Sequence, residues 1–416
     1  MTLDNNALFD DSAIFDGPKM RLDEESLFDE SKIFDDYKEG LFDDSEIFDG
    51  SKKRLDKDSP FGDSEIFDGS KISLDHEATN VGSSKIRNIS AIVLRGAIPS
   101  SDAENSAHIT PYASNSRNHN KSTEQFSATP MSLCPAKPLN LVGQITPMLN
   151  KVSWKELEKQ FPDLKMGGRW KPINCISRSR VAIIVPFRDR QSHLNIFLRN
   201  MHPFLQKQML DYTIFVVEQV KNQTFNRAKL LNIGYVEAKL RYRFDCVVFS
   251  DVDLIPIDDR NVYYCPRERA PRHMAVAVDR WKYGLVYPAF FGGIVALTTK
   301  QFETINGFSN DYWGWGGEDD DGYQRIKIAG YKLQRYPNQV AQYVSIRHDR
   351  DRMNEVNPCR HRLLRNTKFR YLDDGLSNLR YELINSSAEA TYYWIKADLL
   401  ELDEKRRLKD EKICDK

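Results

Sequence analysis

The chain has no apolar run long enough to cross a bilayer; the best candidate near its front is "AIVL", Ala91–Leu94. Nothing at its N-terminus reads as a signal peptide. None of its six cysteines (Cys134, Cys175, Cys246, Cys265, Cys359, Cys414) forms a CxxC pair, which argues against a zinc site. Their spread fits disulfides and plain buried thiols equally well. Net charge is zero over 416 residues, so no overall positive field argues for nucleic acid. That zero hides an asymmetry: residues 1–80 carry about −14 and residues 81–416 about +14. An apolar content of 40% suffices for a core, in one large domain or two ordinary ones, while a mean hydropathy of −0.57 points to segments that do not pack.

What is present first is a repeat. "LFDDSAIFDG" begins at Leu8, "LFDESKIFDD" at Leu27, "LFDDSEIFDG" at Leu41 and "PFGDSEIFDG" at Pro60. Each unit offers only Leu-Phe and Ile-Phe pairs among acids, too little apolar surface to offset backbone ordering, so a solenoid is excluded. The alternating ligands of an EF-hand are missing as well. Residues 1–75 therefore read as a disordered acidic repeat region, with short docking motifs for an unknown partner as the sharper alternative. Residues 76–130, rich in Ser and Asn, read as a linker or stem. Sequons at Asn88, Asn120, Asn222 and Asn385 give weak support for a secretory compartment.

From 131 to 390 the pattern becomes that of a folded domain, followed by a charged tail over 391–416. "RVAIIVPF" (180–187), "YTIFVVEQ" (212–219) and "DCVVFSDVD" (245–253) are continuously apolar strands. "QSHLNIFLRNMHPFLQ" and "FNRAKLLNIGYVEAKL" carry helical spacing between them. Alternation of buried strands and helices predicts an α/β fold with a parallel sheet covered on both faces. Ligands of such sheets bind beyond the C-terminal strand ends, where Pro186-Phe187-Arg188 and Asp251-Val252-Asp253 fall.

Several of these residues suit chemistry, each with a plainer alternative. Asp251 and Asp253 are spaced to hold a hard divalent cation, or to form a surface turn. Arg188 and Arg190 suit phosphate, or a solvated pair. "DYWGWGGEDDDGYQR" (311–325) combines Trp313 and Trp315, flat faces for a sugar or base, with Gly314, Gly316 and Gly317 as hinges. Its acids, Glu318–Asp321, raise one another's proton affinity as a general base requires; they also favour the positive end of a helix. His348 lies in the polar run "SIRHDRDRMN", which suits a mobile loop.

In this order the segments resemble the β-1,4-galactosyltransferase family. The resemblance runs from Cys134 to Leu383 and is carried by "VAIIVPFRDR", "FNRAKLLNIGY", "FSDVDLIP", "FFGGIVALT", "INGFSNDYWGWGGEDDDGYQR" and "IRHDRDRMNEVNP". It implies a GT-A fold, a Rossmann-like, mostly parallel sheet flanked by helices. It also implies inverting transfer of galactose from UDP-galactose to the 4-hydroxyl of a terminal β-linked N-acetylglucosamine, with Mn²⁺ as cofactor. By the same resemblance, Pro186, Phe187, Arg188, Arg190, Phe225, Arg227, Asp251, Val252, Phe290 and Trp315 hold the donor, Trp315 closing over it once nucleotide binds. Asp253 and His348 bind the metal. Asp319 is the catalytic base. Tyr287, Glu318, Asp320, Arg360 and Leu364 receive the acceptor. The resemblance further implies that Cys134 pairs with Cys175 and Cys246 with Cys265, and hence an oxidising lumen, the Golgi in this family.

Three departures matter. Ser345 stands where a methionine metal ligand is usual, which suits Mg²⁺ better than it suits Mn²⁺. Phe290 stands where galactose-transferring members have tyrosine and N-acetylgalactosamine-transferring members have isoleucine or leucine; its ring favours galactose, with UDP-N-acetylgalactosamine the alternative donor. His361 replaces a phenylalanine of the acceptor pocket. The rival to an enzyme is a non-catalytic glycan-binding or scaffold relative.

Overall fold

A computed structural model describes residues 86–88, 131–349 and 351–414. The acidic repeats and most of the Ser/Asn-rich segment, with the readings made of them, lie outside the described residues. The strands in chain order are β1 (Ile86–Asn88), β2 (Arg180–Phe187), β3 (Asp211–Gln219), β4 (Cys246–Ser250), β5 (Leu254–Pro256), β6 (Arg272–His273), β7 (Ala277–Val278), β8 (Ile294–Thr298), β9 (Gln334–Arg335), β10 (Gln342–Ser345), β11 (Arg380–Ala388) and β12 (Tyr393–Asp398). The helices are α1 (Trp154–Gln160), α2 (Gln191–Lys207), α3 (Arg227–Lys239), α4 (Thr299–Thr304), α5 (Glu318–Ile328), α6 (Arg360–Arg365), α7 (Thr367–Arg370) and α8 (Glu401–Asp410).

The main sheet runs β1-β11-β12-β3-β2-β4-β8-β6-β9. Its centre is parallel, as the continuous apolar strands require: β2 pairs in parallel with β3 and β4, and β12 with β3. The flanks turn antiparallel at β4–β8, β6–β8, β11–β12 and β1–β11, so the sheet is mixed. A small second sheet orders β5-β10-β7.

Alternation along the central strands builds two cores. Ala182, Ile184, Phe215, Val217, Val247 and Phe249 face α3 and pack with Leu230, Leu231 and Tyr235. Val181, Ile183, Val185, Ile214, Val216 and Val248 face α2 and meet Leu194, Phe197, Leu198 and Met201. Burying both faces fixes register, because a one-residue slip would send each strand's side chains to the wrong layer. The parallel register of β2 on β4, with Ile184 opposite Phe249, brings the segments that follow both strands to the same edge of the sheet.

The segment 391–416, expected as a charged tail, does not behave as one in its described part. β12 inserts between β3 and β11, with Ile395 and Ala397 buried, and α8 packs behind it through Leu408. The charge that suggested a tail is locally satisfied: Lys396 lies 3.2 Å from Glu218, and Lys405 pairs with Glu401. Disulfides join Cys134 to Cys175 and Cys246 to Cys265, as the resemblance implies, and a third joins Cys359 to Cys414.

Candidate active site

Three segments meet at the C-terminal ends of β2 and β4. The first follows β2. Arg188 is buried, bonded to Asp351 at 2.5 Å and to the Gln223 carbonyl at 2.6 Å, with its guanidinium 4.8 Å from the centre of the Phe225 ring. Arg190 begins α2 with one guanidinium nitrogen buried and unpartnered within the protein. Burial there pulls its pKa down, and the nearby charges of Asp253 and Asp351 oppose that. A half-buried guanidinium with one nitrogen left unpaired suits an anion. Pro186, Phe187 and Val252 are buried too, Phe187 and Val252 in the core against α2, so they offer a ligand backbone more than side chain.

The second segment follows β4. The sequence places Asp251 and Asp253 on one side of a strand end; the strand stops at Ser250, and the two carboxylates serve different partners. Asp251 accepts from Arg227 at 2.7 Å. Asp253 lies 3.3 Å from His348 Nε2 and 3.1 Å from the Arg280 guanidinium. Burial works to raise the Asp253 pKa, yet His348 and Arg280 hold it below the usual carboxylate range. A carboxylate and an imidazole nitrogen thus converge, and Arg280 supplies positive charge where a cation would sit. Among the described residues no third Asp, Glu, His or Cys completes a cluster. Asp253 and His348 would hold a divalent cation by one oxygen and one nitrogen, leaving its other positions to further oxygen ligands. Ser345 is committed elsewhere: its hydroxyl donates to Asp279 at 2.6 Å.

The third segment is the glycine-flanked tryptophan and the acids behind it. Gly314, Gly316 and Gly317 have φ of 91°, 100° and 91°, the left-handed region that favours glycine. A Cβ on Gly314 would stand 2.4 Å from the Glu355 carbonyl oxygen. Trp315 is 53% exposed while Trp313 is 5% exposed, so one ring is available to a ligand and the other is core. α5 then starts at Glu318, so all four acids occupy its first turn, beside the positive helix end.

Those four acids do different work. Asp321 is fully buried and bonded to Arg325 at 2.5 Å, a structural pair. Glu318 lies 3.9 Å from Arg227, which also holds Asp251. Asp320 accepts from Tyr287 at 2.7 Å. Asp319 is pushed well above the usual carboxylate range, by burial first and then by Asp320 and Glu318, with Arg227 opposing. One oxygen of Asp319 faces the α-carbon of Gly292 so closely that a Cβ there would stand 2.6 Å from it. That Cβ would also stand 2.7 Å from the Phe290 ring, which packs edge-on against Tyr287, Trp281 and His273.

Arg360 leans over the glycines, its Cδ 3.3 Å from where a Gly316 Cβ would be. Leu364 lies one turn further on α6, half-buried. Partial burial, Arg360 and Arg365 hold the His361 imidazole below its usual range, and Asp320 is near enough to counter them. The structure thus brings Asp251, Arg227 and Glu318 together, Asp253 with His348, and Tyr287 with Asp320. Sequence reasoning passed over Gly292, whose missing side chain makes room for Asp319, and Arg280 beside Asp253. It also missed His193, whose ring is 5.7 Å from that of His348. "FFGG" and "RQSHL" stand inside or beside the quoted motifs, but nothing local in them tells of a neighbour distant in sequence.

Residues 134–266 match the family described as the N-terminal region of glycosyl transferase group 7, and residues 272–349 that described as the N-terminal domain of galactosyltransferase. The chain is 46% identical over 270 residues to β-1,4-galactosyltransferase 1 of Bos taurus, covering 65% of this chain and 67% of that protein. It is 43% identical over 268 residues to β-1,4-galactosyltransferase 2 of Cricetulus griseus, covering 64% and 72%. Among solved structures it is similar to a Drosophila β-1,4-galactosyltransferase 7 variant in complex with manganese, UDP-Gal and xylobiose, at 30% identity and a TM-score of 0.46, covering 53% of this chain and 94% of that one.

Proposed function

The chain belongs to the β-1,4-galactosyltransferase family, and from that premise we propose that it moves galactose from UDP-galactose to the 4-hydroxyl of a terminal β-linked N-acetylglucosamine with inversion. It is a hexosyltransferase enzyme of the galactosyl-transferring type. The finer assignment rests on one observation above all. Arg227 bonds Asp251 on the donor side at 2.7 Å and lies 3.9 Å from Glu318 on the acceptor side, so one guanidinium joins the two half-sites.

In this reading Arg188, Arg190 and Arg227 bind the nucleotide's phosphates, with Phe225 beside them and Trp315 closing over the donor. Asp253 and His348 hold a divalent cation, which when bound neutralises charge on the departing diphosphate. Tyr287, Asp320, Glu318, Arg360 and Leu364 seat the acceptor sugar. Asp319 takes the proton of its 4-hydroxyl as that oxygen bonds to the anomeric carbon of galactose, and the bond to the UDP oxygen breaks on the opposite side. The raised proton affinity of Asp319 suits a base that must accept a hydroxyl proton while buried.

Phe290 favours galactose, since its ring occupies the space a donor N-acetyl group would need. The absent hydroxyl keeps UDP-N-acetylgalactosamine as the second donor to test. Ser345, tied to Asp279, leaves the cation with harder ligands, so Mg²⁺ is tested beside Mn²⁺. Three disulfides accord with an oxidising lumen, and we place the enzyme in the Golgi. Among the described residues no helix is long and apolar enough to cross a membrane. A coupled assay of UDP release tests the function. Metal-dependent release from UDP-galactose with N-acetylglucosamine present is expected; release with neither donor under either metal refutes it.

A further inference from the structure

Three stretches that frame the proposed site, 224–229, the segment opened by Asp311, and α6, are tied to the C-terminal helix or to the residues just after it. Lys405 donates to the Thr224 hydroxyl at 3.0 Å, and Glu401 accepts from the Thr224 amide at 3.0 Å, just before Phe225. Glu404 pairs with the buried Lys229 at 3.2 Å, just after Arg227. Arg407 pairs with Asp311, which opens the tryptophan segment. Beyond the helix, Cys414 is joined to Cys359, which caps α6 and precedes Arg360. Arg362 donates to the Lys412 carbonyl at 2.5 Å, and Ile413 and Cys414 pack against Tyr312, Cys359 and Leu363.

The segments so anchored are themselves knitted together. The Gly314 amide donates to the Phe225 carbonyl and the Phe225 amide to the Met353 carbonyl, both at 2.8 Å. Trp315 donates to Glu355 at 2.8 Å and accepts from Asn357 at 2.9 Å. The exposed Trp315 thus lies on a short backbone ladder with 355–357, and the next residues along, through Cys359, are fixed covalently.

We propose that α8 and the Cys359–Cys414 disulfide are positioning elements of the transferase site. They tie the residues that flank the Trp315 ladder, Asp311 and the start of α6, to the C-terminal segment, and so favour the arrangement in which Arg360 and Leu364 lie beside the tryptophan segment to receive the acceptor. The disulfide is the acceptor-side anchor, because it bears on α6; Arg407 is the anchor at the root of the tryptophan segment. This rests on the reading of α6 as part of the acceptor pocket. A clamp on an ordered element acts by raising the fraction of molecules already competent to bind, which shows as apparent affinity rather than chemistry.

The test is a Cys359→Ser/Cys414→Ser double variant of the full chain, with Arg407→Met and Arg407→Lys beside it. Hydrogen exchange is followed by mass spectrometry, with transfer kinetics in parallel. For the double variant, faster exchange confined to residues 353–370 is expected, central-strand protection being retained. Acceptor KM should rise about three- to tenfold, while donor KM, kcat and UDP affinity stay within about twofold. Arg407→Met should loosen 311–317, and Arg407→Lys should recover most of the lost protection. Unchanged exchange and unchanged acceptor KM overturn the proposal, as does a uniform loss of protection with UDP affinity falling in parallel. If the parent transfers sugar to no acceptor, the functional reading fails, and the exchange pattern alone still decides for or against the clamp.

Discussion

Gly292→Ala probes the space occupied by the Asp319 carboxylate, the proposed base. Gly292 does not have a left-handed φ, so alanine brings no backbone strain there, and the effect is steric. The added methyl would stand 2.6 Å from an Asp319 oxygen and 2.7 Å from two Phe290 ring carbons. Reaching the 3.4 Å at which ordinary contact begins moves the carboxylate by about 0.8 Å. Misplacement of a reacting group on that scale costs about 100-fold in rate, or about 2.7 kcal/mol in the barrier. Overpacking costs a further 1–3 kcal/mol or so of folding stability. The assay is kcat by UDP release, with UDP affinity by calorimetry as the check on folding. Expected is a loss of about two orders of magnitude in kcat with UDP affinity nearly intact. Should Phe290 yield instead of Asp319, donor selectivity changes and kcat does not. A variant with kcat within about threefold of the parent and unaltered selectivity refutes the placement of both residues.

Asp319→Asn removes the base while keeping the shape, so kcat should fall by about 10²–10⁴-fold with UDP binding spared. Activity should rise with pH as Asp319 loses its proton, with a midpoint above the usual carboxylate range, because burial, Asp320 and Glu318 disfavour its charge. Asp320→Asn removes one of those negative neighbours and should move the midpoint of the kcat–pH curve downward; an upward shift contradicts the assignment. Phe290→Leu opens space beside the donor and should raise the ratio of N-acetylgalactosamine to galactose transfer, read from parallel assays with the two donors. Ser345→Met frees Asp279 of its hydroxyl partner and adds a soft thioether, so Mn²⁺ should gain over Mg²⁺ in metal titrations of UDP binding.

The parallel centre of the sheet was legible because β2, β3 and β4 are apolar on both faces, which few other arrangements satisfy. The candidate site residues stood out as motifs, and the contact of Arg227 with both Asp251 and Glu318 emerged only from distance. The C-terminal strand and helix escaped for a physical reason. β12 carries Lys396, and Trp394 spends its indole N–H on Glu218, so the strand looks polar until its neighbour is known. α8 buries little besides Glu404 and Leu408, leaving almost no apolar stripe to find. Its purchase is ionic and covalent, through Arg407 and Cys414, and such partners carry no periodic signal. Ser345 was legible as a departure, but its commitment to Asp279 was not, since 66 residues separate the two.

The most direct measurement is a crystal structure of the protein with UDP, Mn²⁺ and an N-acetylglucosamine-terminated acceptor. The account predicts Asp253 and His348 on the ion, the ion on the diphosphate, and the Asp319 carboxylate within hydrogen-bond reach of the acceptor's 4-hydroxyl. An ion bound without Asp253, or an acceptor whose 4-hydroxyl is held away from Asp319, contradicts it.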